Sequence, residues 1–73
     1  MDDKPHIMMY VITEENGYSA YAEYKDAHIY TDGNDMEDLK YNIVESVNLG
    51  MEEYGYEYTI EEIELKFVDE FPD

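Results

Sequence analysis

Seventy-three residues are enough for one domain and no more, because a chain of this size buries only roughly 60% of the surface that it exposes when unfolded. Four lysines, no arginine and twenty acidic residues give a formal charge of −16. This charge excludes direct binding to nucleic acid or to an anionic membrane, since phosphate contacts need cations. The absence of cysteine excludes disulfides, thiolate metal sites and thiol nucleophiles.

The acidic composition has two interpretations: it keeps a small protein soluble, or it attracts a basic protein partner. A hydrophobic content of 44% with nine tyrosines predicts a folded rather than a disordered chain. The first five residues lack the basic-then-apolar order of a secretion signal, and no apolar run approaches the roughly 18 residues of a membrane span. We therefore expect a cytoplasmic protein with no membrane partner.

Residues 6–24 predict a β-hairpin. The part before the turn, residues 6–14, is rich in β-branched and aromatic side chains and is apolar on both faces. Asn16-Gly17 tolerates the positive φ values of a type I′ turn, so we predict a two-residue turn that pairs Val11 with Ala22. Alternation then places Ile7, Met9, Val11, Ala20 and Ala22 beneath a helix and leaves Met8, Tyr10, Ile12 and Tyr21 on an uncovered side.

Residues 28–32 predict a short third strand, and residues 35–54 predict an amphipathic helix. At the start of the helix the Asp35 side chain can accept a hydrogen bond from the Asp38 amide, and Gly55 supplies a left-handed stop. The predicted buried arc contains Met36, Leu39, Ile43, Val47, Gly50, Met51 and Tyr54, and the exposed arc contains Glu37, Asp38, Glu45, Asn48, Glu52 and Glu53.

Residues 62–69 alternate and predict a fourth strand, with Ile63, Leu65 and Phe67 facing inward, and we expect residues 70–73 to fray or to pack loosely. The element order is therefore β-β-β-α-β. A right-handed crossover through the helix places the fourth strand parallel to and beside the first. We predict an α+β domain whose four-stranded sheet has the order 3-2-1-4 and carries one helix on one face.

No catalytic motif is present. Twenty acidic residues make carboxylate pairs inevitable, and Asp26, Asp32 and Gly33 lack the spacing of an EF-hand loop. His6 and His28 have no serine or cysteine in a catalytic setting, and tyrosines without accompanying cations do not form an RNA-stacking platform. We therefore expect a protein that is not an enzyme and that holds no metal or cofactor.

Three regions are candidate protein interfaces. The uncovered sheet side carries methionine and tyrosine, which are enriched in interfaces. The edge of the third strand can accept a strand from another chain and would join two copies about a two-fold axis. Acidic side chains on the helix suit a basic partner. The predicted interface residues are Met8, Tyr10, Ile12, Tyr21, His28, Tyr30, Glu45, Glu52 and Glu53, and the expected partners are a basic protein and, in a homodimer, a second copy of the chain.

Four short sequence motifs occur in a characteristic order along the chain. Residues 17–21 read Gly-Tyr-Ser-Ala-Tyr, and residues 31–35 read Thr-Asp-Gly-Asn-Asp. Residues 37–39 read Glu-Asp-Leu, and residues 42–47 read Asn-Ile-Val-Glu-Ser-Val. Together they resemble the HicB family, the antitoxins of HicA–HicB toxin–antitoxin pairs, over most of residues 9–67. The resemblance implies a single HicB-like domain over residues 1–73 with a partial RNase-H-like β-β-β-α-β fold.

The function implied by the resemblance is binding and neutralising a small basic RNA-cleaving toxin of the HicA type. The alternative is an orphan homodimeric regulatory module whose acidic surface mimics nucleic acid, and a metal-dependent nuclease is the third class. The family's Pro-Asp-Leu-Pro-Gly-Cys segment is replaced by residues 22–28 here, so its contacts are not carried over. The family commonly appends a helix-turn-helix or ribbon-helix-helix segment for operator binding. None follows Asp73, and we expect no repression through such a segment.

Overall fold

The computed structural model describes residues 4–71. Its sheet has the strand order β3-β2-β1-β4, with β1 antiparallel to β2 and parallel to β4, as the sequence predicts. The α+β class and the element order are thereby confirmed. The elements are β1 (Ile7–Glu14), β2 (Gly17–Tyr24), β3 (Ala27–Gly33), α1 (Met36–Met51), a 3-10 turn (Glu52–Tyr54), a second 3-10 turn (Ile60–Glu62) and β4 (Ile63–Phe67).

The helix packs on one face of the sheet and closes a single core. Side chains every three or four residues along α1 form its buried face, because this spacing returns to the same side of a helix. Alternate residues of β1 and β2 meet them, and the two alanines of β2 let α1 approach closely. The core contains Ile7, Met9, Val11, Ala20, Ala22, Ile29, Leu39, Ile43, Val47, Met51, Tyr58 and Ile63, including every strand residue predicted to lie beneath the helix.

The ends of the helical segment are also as predicted. The Asp35 side chain accepts a hydrogen bond of 2.8 Å from the Asp38 amide. This bond satisfies one of the free amides of the first turn. The regular helix ends at Met51, the 3-10 turn continues to Tyr54, and Gly55 then adopts a left-handed conformation with φ of 82°.

The predicted register of the first hairpin is wrong by two residues. The turn is Glu15-Asn16, so Glu14 pairs with Gly17 and Val11 pairs with Ala20 rather than with Ala22. Asn16 does not have a positive φ, which rules out the predicted type I′ turn. Because side chains alternate with a period of two, a shift of two residues leaves every side chain on its predicted face.

Gly17 itself explains the difference. It has a φ of 149°, and a Cβ atom added there would lie 2.4 Å from the carbonyl oxygen of Gly33 on β3. The glycine is therefore needed both for its positive φ directly after the turn and for the close approach of β3. The second requirement comes from a residue that is distant in sequence, and the local Asn-Gly pattern does not reveal it.

Phe67 lies on the predicted side of the sheet, but the burial expected from this inward position is wrong. Phe67 pairs with Val11 on the helix side of the sheet, yet 53% of its surface is exposed. The reason is that α1 lies over β3 and β2, at the opposite edge of the sheet from β4. Among the aromatic rings of residues 4–71, the Phe67 ring pairs with Tyr18 alone, in a T-shaped arrangement with the ring centroids 6.4 Å apart.

Candidate protein-binding surfaces

The face of the sheet opposite α1 gathers six of the nine predicted interface residues. Tyr10 pairs with Tyr21, and Tyr21 pairs with Tyr30, so a row of tyrosines crosses three neighbouring strands. Tyr30 is 61% exposed, and the other tyrosines of the row are half-buried. We call this surface the open sheet face, and it contains Met8, Tyr10, Ile12, Tyr21, His28 and Tyr30.

Polar contacts hold the tyrosines of the open sheet face in place. The Tyr21 hydroxyl lies 3.0 Å from Nδ1 of His28, and a Glu23 carboxylate oxygen lies 3.5 Å from the same nitrogen. Desolvation and the nearby Glu23 carboxylate raise the pKa of Tyr21 above its usual 10.0, so this hydroxyl keeps its proton. The Tyr30 hydroxyl donates to the buried Ser19 hydroxyl at 3.4 Å.

The expectation that nothing covers this face is wrong, because Phe71 packs on it; of the two expectations for the end of the chain, Phe71 packs rather than frays. Its ring lies 5.7 Å from the Tyr21 ring and 6.2 Å from the Tyr30 ring, measured between centroids. Aromatic pairs at this separation attract each other. Residues 68–71 therefore cross the sheet and cover part of the open sheet face, while residues 72 and 73 lie outside the described residues.

The outer edge of β3 presents backbone groups to solvent. The turn Lys25-Asp26 joins β2 to β3, and a two-residue turn closes on a hydrogen-bonded pair, here Tyr24 with Ala27. Hydrogen-bonded and non-hydrogen-bonded pairs alternate in an antiparallel ladder. The N–H and C=O groups at every second residue of β3 therefore point away from β2. These residues, His28, Tyr30 and Asp32, define the β3 edge.

One hydrogen bond agrees with this assignment. The Asn42 side chain on α1 donates to the outward carbonyl of Asp32 at 2.8 Å. Among residues 4–71, no side chain or loop hydrogen-bonds to the outward backbone groups of His28 or Tyr30. The β3 edge is thus closed at one carbonyl and open along the rest of its length.

A groove lies on the other side of the molecule, between the second half of α1 and the chain that follows Gly55. Its volume is about 980 Å³. Its lining includes Leu49, which is 74% exposed, and the carboxylates of Glu45 and Glu52. We call it the acidic groove. It is lined by Lys4, Val44, Glu45, Asn48, Leu49, Glu52, Gly55, Tyr56 and Glu57.

Asn48 builds this groove, although the sequence predicts it on the exposed arc of the helix. Its side-chain amide accepts from the Tyr58 amide at 2.6 Å and donates to the Tyr58 carbonyl at 3.1 Å. Tyr58 is buried, and its hydroxyl donates to the Pro5 carbonyl at 2.7 Å. The connection after the helix therefore folds back along α1 and half-buries Asn48.

Lys4 closes one end of the acidic groove. Its ammonium donates to the Glu57 carbonyl at 2.8 Å and to a Glu62 carboxylate oxygen at 2.7 Å. The hydrogen bond from Lys4, with one from the Thr59 amide, lowers the pKa of Glu62 below its usual 4.5. The positive charge of Lys4 is therefore already matched, and the groove remains acidic.

The structure places six of the nine predicted interface residues on the open sheet face, two in the acidic groove and one in neither. Glu45 and Glu52 line the acidic groove, whereas Glu53 is exposed outside it. The helix lies between this groove and the open sheet face, so one flat partner surface does not contact both. Sequence reasoning missed Leu49, because an apolar residue on a helix is not expected to be exposed. It also missed Tyr56, because this residue lies in the connection after the helix, where the helical periodicity gives no prediction.

Comparisons with family models, curated proteins and solved structures found no match. Within residues 4–71, no group of three or more histidine, aspartate and glutamate side chains is placed to hold a metal ion. No helix in the same part of the chain is both long and apolar enough to cross a membrane.

Proposed function

We propose that this protein is a non-enzymatic binding protein whose partner is a small basic protein. The observation that carries the proposal is the acidic groove, where Glu45 and Glu52 flank the exposed Leu49. An exposed leucine beside carboxylates suits a cationic segment that also carries apolar side chains, because burial of the leucine adds to charge attraction. The carboxylates alone would also attract a simple cation. The leucine adds a preference for a segment that carries apolar side chains.

The whole chain supports the same partner class. A formal charge of −16 produces a negative field that speeds the approach of a cationic protein. That field also competes with RNA for the same cationic surface of the partner. Binding of this kind weakens as salt is added, because salt screens the attraction over a Debye length of about 8 Å at physiological ionic strength.

The resemblance to HicB antitoxins gives the partner a concrete identity. The β-β-β-α-β order is the arrangement that the resemblance implies. A toxin of the HicA type is small, basic and RNA-binding, which matches the chemistry of the acidic groove. We therefore infer a HicB-like antitoxin that acts in the cytoplasm, where its toxin meets RNA.

The test is to search for a neighbouring gene that encodes a small basic protein, and to measure whether this chain inhibits RNA cleavage by that protein. We expect the wild-type protein to form a complex with that toxin and to stop cleavage. A Glu45→Lys/Glu52→Lys variant should bind it about tenfold or more weakly at low salt, since each reversal replaces attraction with repulsion. A basic neighbour that cleaves RNA and is unaffected by the wild-type protein contradicts the antitoxin role.

The matched control is Glu14→Lys/Glu15→Lys. Both residues are exposed at the first hairpin turn, away from the acidic groove. This variant changes the net charge by the same amount, so it alters long-range steering equally but leaves the groove intact. Equal loss of binding in both variants would show that net charge, and not the acidic groove, governs recognition.

The second candidate function is an orphan homodimeric regulatory module whose acidic surface mimics nucleic acid. The observation that favours it is the open β3 edge, which gives a second copy of the chain a place to bind. Absence of a basic neighbour, together with a stable dimer, would favour this function over the antitoxin.

A further inference from the structure

We propose that the β3 edge joins two copies of this chain in a continuous sheet, with a two-fold axis through Tyr30. The outward backbone groups of His28 and Tyr30 have no hydrogen-bond partner among residues 4–71, and β3 is a seven-residue strand without proline. Such an edge is a template for pairing with another strand. A second copy supplies an identical edge, so two copies satisfy each other.

The choice of register follows from charge and from the number of groups paired. A two-fold axis at Tyr30 places Tyr30 opposite Tyr30 and His28 opposite Asp32 of the second copy. Every outward residue of β3 then lies opposite an outward residue, and the Asp32 carbonyl, which already accepts from Asn42, accepts a second hydrogen bond there. An axis at Ile29 would instead set Asp32 opposite Asp26 of the second copy, and like charges directly opposite destabilise a strand pair.

Other occupants of this edge are less suited to it. The sheet's opposite edge, β4, has only five residues, and Glu64 and Lys66 alternate along it. The β3 strand has one acidic residue, Asp32, although the chain has twenty. A basic partner is drawn to denser carboxylates, which lie elsewhere, whereas a second acidic copy meets one carboxylate along β3. The β3 edge is preferred to the β4 edge for its length and not for its charge.

Pairing at this edge also extends the open sheet face. Tyr30 and Tyr21 form a row with Tyr10 in each copy, and the two rows become continuous across the axis. Aromatic side chains in directly opposed strand positions attract each other. The acidic groove lies on the far side of α1 and stays open in the dimer, so the dimer has two grooves for basic partners.

Salt separates this proposal from the proposed function. Each copy carries a formal charge of −16, so two copies repel each other and the dimer strengthens as salt is added. Binding of a basic partner weakens under the same change. The mass of the protein is therefore measured by sedimentation velocity at low salt and at about 0.5 M sodium chloride, where the Debye length is about 4 Å.

The decisive variants are Tyr30→Ala and Tyr30→Pro. Both remove the tyrosine ring, but only proline removes the outward N–H, and an outward N–H on an edge strand is where proline is tolerated. We expect Tyr30→Ala to weaken the dimer modestly and Tyr30→Pro to weaken it by about a further tenfold, because each copy loses a backbone hydrogen bond. Circular dichroism checks that both variants fold.

A second pair of variants tests the register without changing the backbone. His28→Lys places a cation opposite Asp32 of the second copy and should tighten the dimer. His28→Asp places an acid there and should loosen it. A wild-type protein that is monomeric at both salt concentrations overturns the proposal, as do equal dimer stabilities in Tyr30→Ala and Tyr30→Pro. Neither result affects binding of a basic partner in the acidic groove.

Discussion

The open sheet face and the acidic groove lie on opposite sides of the same helix-on-sheet layer and are built by different means. Residues of the open sheet face are aligned by strand pairing, which fixes Tyr10, Tyr21 and Tyr30 in one row. The walls of the acidic groove come from α1 and from the chain after Gly55, which Asn48 joins through two hydrogen bonds to Tyr58.

This difference predicts how each surface responds to change. A surface aligned by the backbone tolerates the loss of one side chain, because the hydrogen bonds between its strands remain. A surface formed by two segments depends on the few contacts that hold those segments together. The two surfaces also differ in charge, so salt should strengthen self-association at the β3 edge and weaken binding of a basic protein in the acidic groove.

Asn48→Ala should have the largest effect on stability. It removes both hydrogen bonds to Tyr58 and leaves buried backbone groups without partners, at a cost of about 2 to 4 kcal/mol in the free energy of unfolding. Urea titration measures this loss. Asn42→Ala is the matched control, because it removes one hydrogen bond, to Asp32, at a less buried site. Equal losses in the two variants would show that Asn48 does not hold the groove wall.

Phe71→Ala should have a smaller effect, confined to the open sheet face. It removes two aromatic contacts, with Tyr21 and Tyr30, and should lower the free energy of unfolding by about 1 kcal/mol. Fluorescence quenching of the tyrosines should increase as their exposure increases. Phe67→Ala serves as control, since that ring has one edge contact, with Tyr18. Unchanged quenching in Phe71→Ala would mean that the tail does not cover this face.

The smallest effect is the pH dependence of the ion pair that closes the acidic groove. The pKa of Glu62 is lowered in the folded protein, so its interaction with Lys4 stabilises the fold above pH 4.5 and is lost as pH falls below that value. The wild-type protein should therefore lose more stability than Lys4→Met does on acidification. Parallel melting temperatures of the two proteins across this range would contradict the assignment.

Most of the fold is predictable because its periodicities are local. The 3.6-residue spacing of Leu39, Ile43 and Val47 gives the buried face of α1, and the alternation of β1 gives both faces of the sheet. The hairpin register is predicted two residues away from the observed one, because the Asn-Gly pattern does not show that Gly17 follows the turn and lies against Gly33.

The open sheet face is easier to predict from the sequence than the acidic groove is. The open sheet face follows from alternation once the strand order is known, and all six of its predicted residues lie on it. The acidic groove is predicted only through Glu45 and Glu52, as charge on a helix. Its shape depends on Tyr56 and Asn48, which meet through a connection that has neither a helical nor a strand period.

The sequence by itself determined the elements, their order and the face on which each side chain lies, because hydrophobic periodicity, the Asp35 cap and the Gly55 stop act over a few residues. The tertiary structure alone decided that α1 lies over β3 and β2 and leaves Phe67 exposed, that Phe71 returns to the open sheet face, and that Asn48 becomes a wall of the acidic groove. These outcomes depend on contacts between distant segments, whose geometry is set by how the whole core closes.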